Sequence, residues 1–410
     1  MKEKEILNQL LSSDKVIKAL DYLKNNDEFA IGEQIDLAMI EAPTTYEDNK
    51  AKTIENKFKE LNLLNINIDD IKNVYGFYND LNDSILVEAH LDTVFPFNTI
   101  KDRPVIDSQG YINLPSITDD TRGLEVILSI IRALKYANIK TKKNIMFAGT
   151  SREEGIGSIS GMKKLVDDFD NIEASISIDG DHYSGIIYKA IGLLTKRYTF
   201  KGLSGHAYVA FGQIAHANHA CGRAIAKISN MEVSMHNPKC AFAVTNIHGG
   251  TFEGLHAIND EVSFIVNYRS ESKEELIRID KQIEEYVKQA IIEEENRWGV
   301  NNQISYSVET LCDIPAGYQN EDTPLIRAYQ EVVKYMGDIP ALEEGICCNA
   351  NAMISIGKPA VCMGAGSKHN ANIHSLNERF YTIDAYKQSQ CALLLLLMMS
   401  GSEVSDSIFD

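Results

Sequence analysis

The residues that could do chemistry are histidines and carboxylates placed at the ends of short apolar runs. His90 follows the apolar run 84–89, and Asp92 stands shortly after it. A histidine in this position can bind a metal ion while a neighbouring aspartate holds its imidazole in one orientation. Taken alone, the pair fits a core histidine hydrogen-bonded to a neighbour better than it fits a metal site.

Adjacent carboxylates occur at two further points of the chain. Asp119 and Asp120 precede a long helical pattern, where an aspartate is either a helix N-cap or a carboxylate that bridges two cations. Glu153 and Glu154 follow an apolar run in a glycine-containing loop. Such a pair can divide the work, with one glutamate binding a metal and the other accepting a proton from water.

Asp179 and His374 complete the candidate set. Asp179 ends an apolar run and needs a partner for its charge, with Asp181 as the competing residue, and His374 competes with His369. Nitrogen and oxygen donors of this kind suit zinc, and they also bind manganese and cobalt. Taken together, the candidate ligands are His90, Asp120, Glu154, Asp179 and His374. Two imidazoles and three carboxylates match two metal ions that share one carboxylate.

The elements that position these residues read as an α/β core. Apolar runs typical of buried strands cover 84–89, 144–148, 174–178 and 359–363, and a strong helical pattern covers 121–137. The first 80 or so residues show mainly helical spacing. Strands that alternate with helices predict an α/β sheet, in which ligands lie beyond the carboxyl ends of the strands.

A stretch of different character interrupts this core. Segments 196–200 and 262–266 alternate as half-buried strands, and helical patterns cover 215–228 and 273–297. This order predicts a β-α-β-β-α-β unit inserted into the α/β core. We therefore expect a discontinuous catalytic domain, 1–192 with 307–410, and an inserted domain, 193–306.

Composition excludes several classes of function. The net charge of −18 argues against nucleic-acid binding, and the longest apolar run, 391–399, is too short to span a bilayer. The odd number of cysteines, seven, has no paired spacing, which indicates a reducing compartment. The charged first residues lack the apolar core of a signal peptide, so we expect a cytoplasmic protein with no membrane partner.

Five motifs, in order, resemble those of the co-catalytic zinc exopeptidases and deacylases, a family that includes peptidase T, glutamate carboxypeptidase, aminoacylase and acetylornithine deacetylase. The motifs are Glu-Ala-His-Leu-Asp-Thr-Val from 88, Thr-Asp-Asp-Thr-Arg-Gly from 118, Arg-Glu-Glu-Gly from 152, Ile-Asp-Gly from 178 and Ile-His-Ser-Leu-Asn-Glu from 373. The fourth is similar to the peptidase T branch, in which an aspartate is the next ligand. The resemblance implies a mixed-sheet catalytic domain with helices on both faces and an inserted ferredoxin-like domain that serves as a lid and dimer interface.

The resemblance also implies roles for the residues. The bridging aspartate of the family motif is taken to precede its glycine by three, hence Asp120. Glu153 is implied as the general base, with Asp92 orienting His90. Asp179 is favoured over Asp181, and His374 over His369. The implied metal ligands are His90, Asp120, Glu154, Asp179 and His374.

In the insert, the segment around His206 resembles one whose histidine polarises the scissile carbonyl, often from the partner subunit of a homodimer. Arg269 resembles the arginine that receives a substrate carboxylate, for which its bidentate geometry is suited. His256 departs from the pattern, because relatives usually carry an asparagine there that helps to bind the reacting carbonyl. The departure bears on the substrate more than on catalysis.

The function implied is hydrolysis of an amide bond in a small peptide by a di- or tripeptide exopeptidase with two zinc ions. An N-acyl-amino-acid deacylase would use the same chemistry on another substrate. A catalytically silent binding protein on the same fold is a further alternative. It is disfavoured because the five ligand positions and the base are all present.

Overall fold

The computed structural model describes residues 2–180, 182–343 and 345–410. The chain divides into two compact units, Met1–Ala190 with Tyr318–Asp410, and Ile191–Gly317. The first boundary lies close to the expected 192. The second unit continues to Gly317 rather than ending at 306, because the strand Ser305–Ile314 completes its sheet.

Strands and helices follow one another through both units. The strands are β1 (Leu64–Ile68), β2 (Val74–Phe77), β3 (Ser84–His90), β4 (Tyr111–Asn113), β5 (Asn144–Thr150), β6 (Ile172–Ile178), β7 (Gly185–Ile187), β8 (Gly192–Lys201), β9 (Gly205–His206), β10 (Cys240–Gly249), β11 (Ala257–Ile258), β12 (Glu261–Ser270), β13 (Ser305–Ile314), β14 (Ala341–Glu343), β15 (Ala360–Met363) and β16 (Arg379–Tyr381). The helices are α1 (Lys2–Leu11), α2 (Asp14–Asn25), α3 (Asp27–Ala38), α4 (Asp48–Glu60), α5 (Thr121–Ala137), α6 (Ser160–Asp168), α7 (Ala217–Ser229), α8 (Lys273–Trp298), α9 (Pro324–Tyr335), α10 (Ala350–Ile354) and α11 (Tyr386–Ser400).

The main sheet of the first unit is mixed, with the order β1-β2-β5-β3-β6-β15-β7-β14. Its centre, β5-β3-β6-β15, is parallel. Every residue of β3 and β5 is buried, as expected for central strands covered on both faces. The carboxyl ends of β3, β5 and β6 carry His90, the loop with Glu153, and Asp179, so the α/β prediction is confirmed.

Helices cover both faces of this sheet. α5 and α11 pack against β3 and against each other, together with α1, α2 and α9. α6 and α10 lie on the other face, where α10 meets β6 and β15. The apolar run of α11 is buried along almost its whole length. Among the helices of the described residues, none is long and apolar enough to cross a membrane.

The segment from 61 to 80 was expected to be helical but contains β1 and β2. In β2 burial alternates between successive residues, which is the period of a strand, and β2 pairs with β5 along its length. Pairing with a buried neighbour therefore decided the structure of a segment whose own spacing was ambiguous. The helix expected over 121–137 is α5, with the same bounds.

The second unit is a four-strand antiparallel sheet within the described residues, in the order β10-β12-β8-β13, with α7 and α8 packed against it. Along β12 buried and more exposed residues alternate, which puts Val262, Phe264, Val266 and Tyr268 on the side of the helices. The connection β8-α7-β10-β12-α8-β13 is the ferredoxin-like arrangement that the sequence predicted.

Candidate metal centre

His90 ends β3 with its imidazole enclosed by carboxylates. His90 as a whole is 2% exposed. The Nε2 atom lies 2.8 Å from Oδ1 of Asp119, and Nδ1 lies 3.0 Å from the backbone carbonyl of Asp92. The carbonyl fixes one ring nitrogen, so the other is directed at the carboxylates, which is the arrangement of a metal-binding histidine.

Asp119, rather than Asp120, faces this cluster. Both oxygens of Asp120 accept hydrogen bonds from the backbone, from the N–H of His90 at 2.8 Å and of Gly123 at 3.2 Å. Asp120 is therefore the N-cap of α5, the alternative that the sequence had left beside metal binding. The assignment of the bridging role to Asp120 is corrected, because its oxygens are turned to the backbone while those of Asp119 are turned to the histidines.

The two oxygens of Asp119 lie between the two histidines. Oδ1 is 2.8 Å from Nε2 of His90, and Oδ2 is 2.8 Å from Nε2 of His374. Nε2 of His374 is also 2.8 Å from Oε1 of Glu154. One carboxylate is thus shared by two imidazoles that come from distant parts of the sequence.

Asp179 and Glu153 add further buried carboxyl groups. Burial, followed by the negative charge of Asp119, raises the pKa of Asp179 to about 7. Burial also raises the pKa of Glu153 well above its ordinary value, and the charges of Asp179, Glu154 and Asp92 act in the same direction. Like charges so close together disfavour the ionised forms unless a cation compensates them.

The histidines respond in the opposite direction. Hydrogen bonds to Asp119 and Glu154 raise the pKa of His374 to about 10. The pKa of His90 is raised well above its ordinary value by Asp119 and Asp92, although burial acts against this. The carboxylates around each imidazole therefore favour a positive charge at this centre.

These side chains form overlapping groups whose donor atoms lie within 4.8 Å of one another. The groups are His90 with Asp119 and Asp179, Asp119 with Glu154 and His374, and His90 with Glu153 and Glu154. Asp119 belongs to the first two, as a bridging carboxylate would. The excess of buried carboxyl groups and the nitrogen and oxygen donors both fit a pair of divalent cations.

The competing residues lie differently. His369 is exposed and packs edge-on against Tyr381 at 4.9 Å between ring centroids. It belongs to none of the donor groups found among the described residues. Asp181 lies outside the described residues.

Asp92 holds the loop that carries the glutamate pair. Oδ1 accepts the backbone N–H of Glu153 at 2.9 Å, and Oδ2 accepts that of Glu154 at 3.1 Å and the hydroxyl of Thr44 at 2.9 Å. Oδ1 also lies 3.5 Å from Nδ1 of His90. Asp92 was expected to orient His90, but its closest contacts position Glu153 and Glu154.

Glu378 does the same for Asp119, although no role was predicted for it. Its Oε1 accepts the backbone N–H of Thr118 at 2.7 Å and of Asp119 at 3.1 Å, and Oε2 accepts that of Ser116 at 2.9 Å. The residue is fully buried. Its place in the same short motif as His374 was the available signal, but the motif alone does not show what the carboxylate contacts.

The backbone around the centre is constrained. Arg152, directly before Glu153, has φ of 57°, and His374 has φ of 62°. The left-handed region costs free energy for residues other than glycine and is concentrated at functional sites. At Gly123 a Cβ would lie 2.4 Å from both Oδ1 of Asp120 and the carbonyl oxygen of Ile178, so the start of α5 packs against the end of β6 only because no side chain is present.

The other predicted residues lie in the second unit. β9 and β11 pair so that His206 is opposite Ala257, which brings His206 close to His256 in the chain fold. Both histidines are exposed, and the N–H of Ala207 donates to the carbonyl of His256 at 2.8 Å. Arg269 is exposed on β12, with its Nε 3.4 Å from Oδ1 of Asn267.

The second unit has a histidine–carboxylate group of its own, formed by His216, His219 and Glu294. Glu294 accepts hydrogen bonds from Nε1 of Trp298 at 2.7 Å and Nε of Arg223 at 3.1 Å, and its Oε1 lies 3.2 Å from Nδ1 of His219. These hydrogen bonds lower the pKa of Glu294, although burial acts to raise it.

Comparison with known proteins places the chain in a family. The model of "Peptidase family M20/M25/M40" matches residues 86–399. A search of curated protein sequences gave no significant match. Among solved structures, a tripeptidase of Staphylococcus aureus is similar at 20% identity and a TM-score of 0.74, over 90% of this chain and 98% of that one. The aminopeptidase PepT of Bacillus cereus gives 22% identity and 0.72 over the same shares.

A dinuclear metal-binding M20 peptidase of Bacillus subtilis is also similar, at 15% identity and a TM-score of 0.64, over 92% of this chain and 98% of that one. At these identities the structures support the fold, and the family model supplies the assignment. A donor cluster suited to divalent metals lies at the carboxyl edge of the sheet, where a metallohydrolase of this fold would hold it. The chain belongs to peptidase family M20/M25/M40.

Proposed function

We propose that the chain is a di- or tripeptide exopeptidase that hydrolyses its substrate with two zinc ions. The observation that carries this proposal is the sharing of Asp119 between two donor groups. Each group has its own imidazole and its own second carboxylate, Asp179 beside His90 and Glu154 beside His374. The similarity to a tripeptidase and to PepT favours a peptide substrate over an N-acyl amino acid.

The proposed ligands are His90, Asp119, Glu154, Asp179 and His374. Two zinc ions, when bound, would supply Lewis acidity and lower the pKa of water at the centre. Manganese and cobalt accept the same donors, so metal analysis has to identify the ion.

Glu153 is the proposed general base. Its carboxyl is buried, and its backbone N–H donates a hydrogen bond to Asp92, which fixes the position of the residue. It would accept a proton from the attacking water and deliver it to the leaving amine. Positive charge beside it would return its raised pKa towards the range in which it can act as a base.

The second unit is proposed to contribute to substrate binding and assembly. His206 would polarise the scissile carbonyl, Arg269 would bind a substrate carboxylate, and His256 would take the place of the asparagine found in relatives. β10 is an edge strand with mostly exposed residues, which supports a homodimer formed through this unit.

A hydrolysis panel tests the proposal. Protein reloaded with Zn²⁺ is assayed on Ala-Ala, Ala-Ala-Ala and N-acetyl-Ala, with release of free amine as the readout. We expect cleavage of the free peptides and, for Glu153→Gln, a loss of roughly 10²- to 10⁴-fold in kcat with metal still bound. Glu60→Gln, at an exposed position, is the control. Cleavage of N-acetyl-Ala alone would indicate a deacylase, and no cleavage would indicate a binding protein.

A further inference from the structure

A cavity of about 470 Å³ lies in the first unit beside the metal centre. Its lining includes Gly180, which follows Asp179, and Ile373, which precedes His374. Two of the proposed ligands are thus bonded directly to residues of the cavity wall. Its volume lies in the range of small-molecule sites, so part of a bound substrate can enter it.

The ionisable residues in the described lining of this cavity are His182, Glu343 and Lys368. Lys368 forms an ion pair with Asp338, which neutralises it. His182 lies with Nδ1 2.7 Å from the hydroxyl of Ser184, and burial lowers its pKa to about 4, so its ring is uncharged near neutral pH. Glu343 has no ion-pair partner among the described residues. The described part of the wall therefore carries one uncompensated negative charge.

The carboxylate of Glu343 has a defined place. β14 pairs in parallel with β7, and Oε1 of Glu343 lies 2.3 Å from the point where a Cβ on Gly185 would be. Because Gly185 has no side chain, the carboxylate can rest on the backbone of the wall. An accessible carboxylate in a cavity whose described lining has no free cation favours a cationic group of the ligand.

We propose that this cavity binds the cationic side chain of a lysine or arginine residue of the substrate peptide, with Glu343 as its counter-charge. The proposal rests on the proposed peptidase function and adds the class of peptide. Glu343 acts in specificity and takes no part in the hydrolytic step. Peptides with a long uncharged side chain would enter the cavity but leave Glu343 without a partner.

Matched peptides test the proposal. Lys-Ala and Ala-Lys are compared with the same dipeptides carrying norleucine, which keeps the methylene stem and lacks the charge. We expect kcat/KM to be roughly 10- to 100-fold higher for lysine at one of the two positions, the range of a hydrogen bond to a charged group. Glu343→Gln should abolish that preference by lowering kcat/KM for the lysine peptide, and Glu60→Gln, at an exposed position, should leave both the preference and the rates unchanged. Equal rates for lysine and norleucine, or a preference for Glu-Ala, would overturn the proposal.

A binding measurement separates this proposal from the proposed function. Calorimetry compares lysinamide with norleucinamide on the wild type and on Glu343→Gln. If lysinamide binds more tightly and this depends on Glu343, but no peptide is hydrolysed, the proposed role of the cavity stands and the proposed peptidase function is refuted. Hydrolysis of peptides without any such difference in rate or binding would support the peptidase function and refute the proposed role of the cavity.

Discussion

Both units of the molecule contain histidines next to buried carboxylates, but they balance the charges in opposite ways. In the first unit four carboxylates converge, and among the described residues none of the four pairs with a lysine or arginine. They are Asp119, Glu153, Glu154 and Asp179. In the second unit one carboxylate, Glu294, receives hydrogen bonds from an arginine, a tryptophan and the backbone.

The pKa values follow this difference. Burial raises the pKa of Asp179 to about 7, whereas the donors around Glu294 lower the pKa of that group. Glu153 and Asp179, whose pKa values are raised, lack a compensating positive charge and fit cations, whereas Glu294 already has its donors. The presence of histidines beside a carboxylate does not by itself distinguish a metal centre from a structural hydrogen-bond network.

The largest effect should come from substituting the two adjacent aspartates one at a time. Asp119→Asn should lower activity by more than about 100-fold and reduce the metal content, because it weakens the one donor common to both groups. Asp120→Asn should keep the metal and still cap α5, but lose about 1–3 kcal/mol of stability because the amide has one acceptor oxygen for the backbone N–H groups of His90 and Gly123. Metal analysis after dialysis and thermal unfolding measure both. The reverse pattern would restore Asp120 as the ligand.

A smaller effect is expected at Glu378. Glu378→Gln keeps the size of the side chain but loses one acceptor for the backbone N–H groups of Ser116, Thr118 and Asp119. Metal affinity or activity should fall about 10- to 100-fold, as for other groups that hold a ligand in place. Titration with Zn²⁺ against a competing chelator measures it. Unchanged affinity would show that the loop keeps Asp119 in place without Glu378.

Glu294→Gln should affect stability and leave the metal content unchanged. The substitution weakens the bonds from Arg223 and Trp298, with an expected loss of about 1–3 kcal/mol in the free energy of unfolding. Denaturant unfolding measures it. Glu261→Gln, which removes an exposed ion pair with Lys201 in the same unit, should change stability by less than about 1 kcal/mol. Loss of one metal per chain in Glu294→Gln would show that this cluster binds a cation after all.

The smallest effect is the pH dependence of the stability that is lost in Glu294→Gln. The pKa of Glu294 is lowered in the folded chain from its ordinary 4.5, so its stabilisation is present above that pH and disappears as the pH falls through the folded value. The difference in stability between wild type and Glu294→Gln should therefore narrow in acid. Unfolding curves at pH 7 and at successively lower pH check this, and a difference that widened in acid would contradict the assignment.

The sequence predicted the strand ends that carry the cluster, because buried strands and the polar residues after them leave a clear pattern. The family motif pointed to Asp120, whereas the structure turns Asp119 towards the cluster, and a helix cap and a bridging ligand use the same residue type. Which carboxylate faces the cluster depends on the backbone turn before α5. The sequence also missed Glu378, whose partners are backbone groups far away in sequence, and it placed β1 and β2 among the helices, because their structure depends on pairing with β5.

The order of elements along the chain has a consequence for biosynthesis. α11 packs against β3, the strand that ends at His90, yet it is made after all of the second unit. Until α11 leaves the ribosome, one face of β3 lacks part of its cover, while Ile191–Gly317 already has every strand and helix of its own core. We expect the second unit to fold first during synthesis and the first unit to mature last.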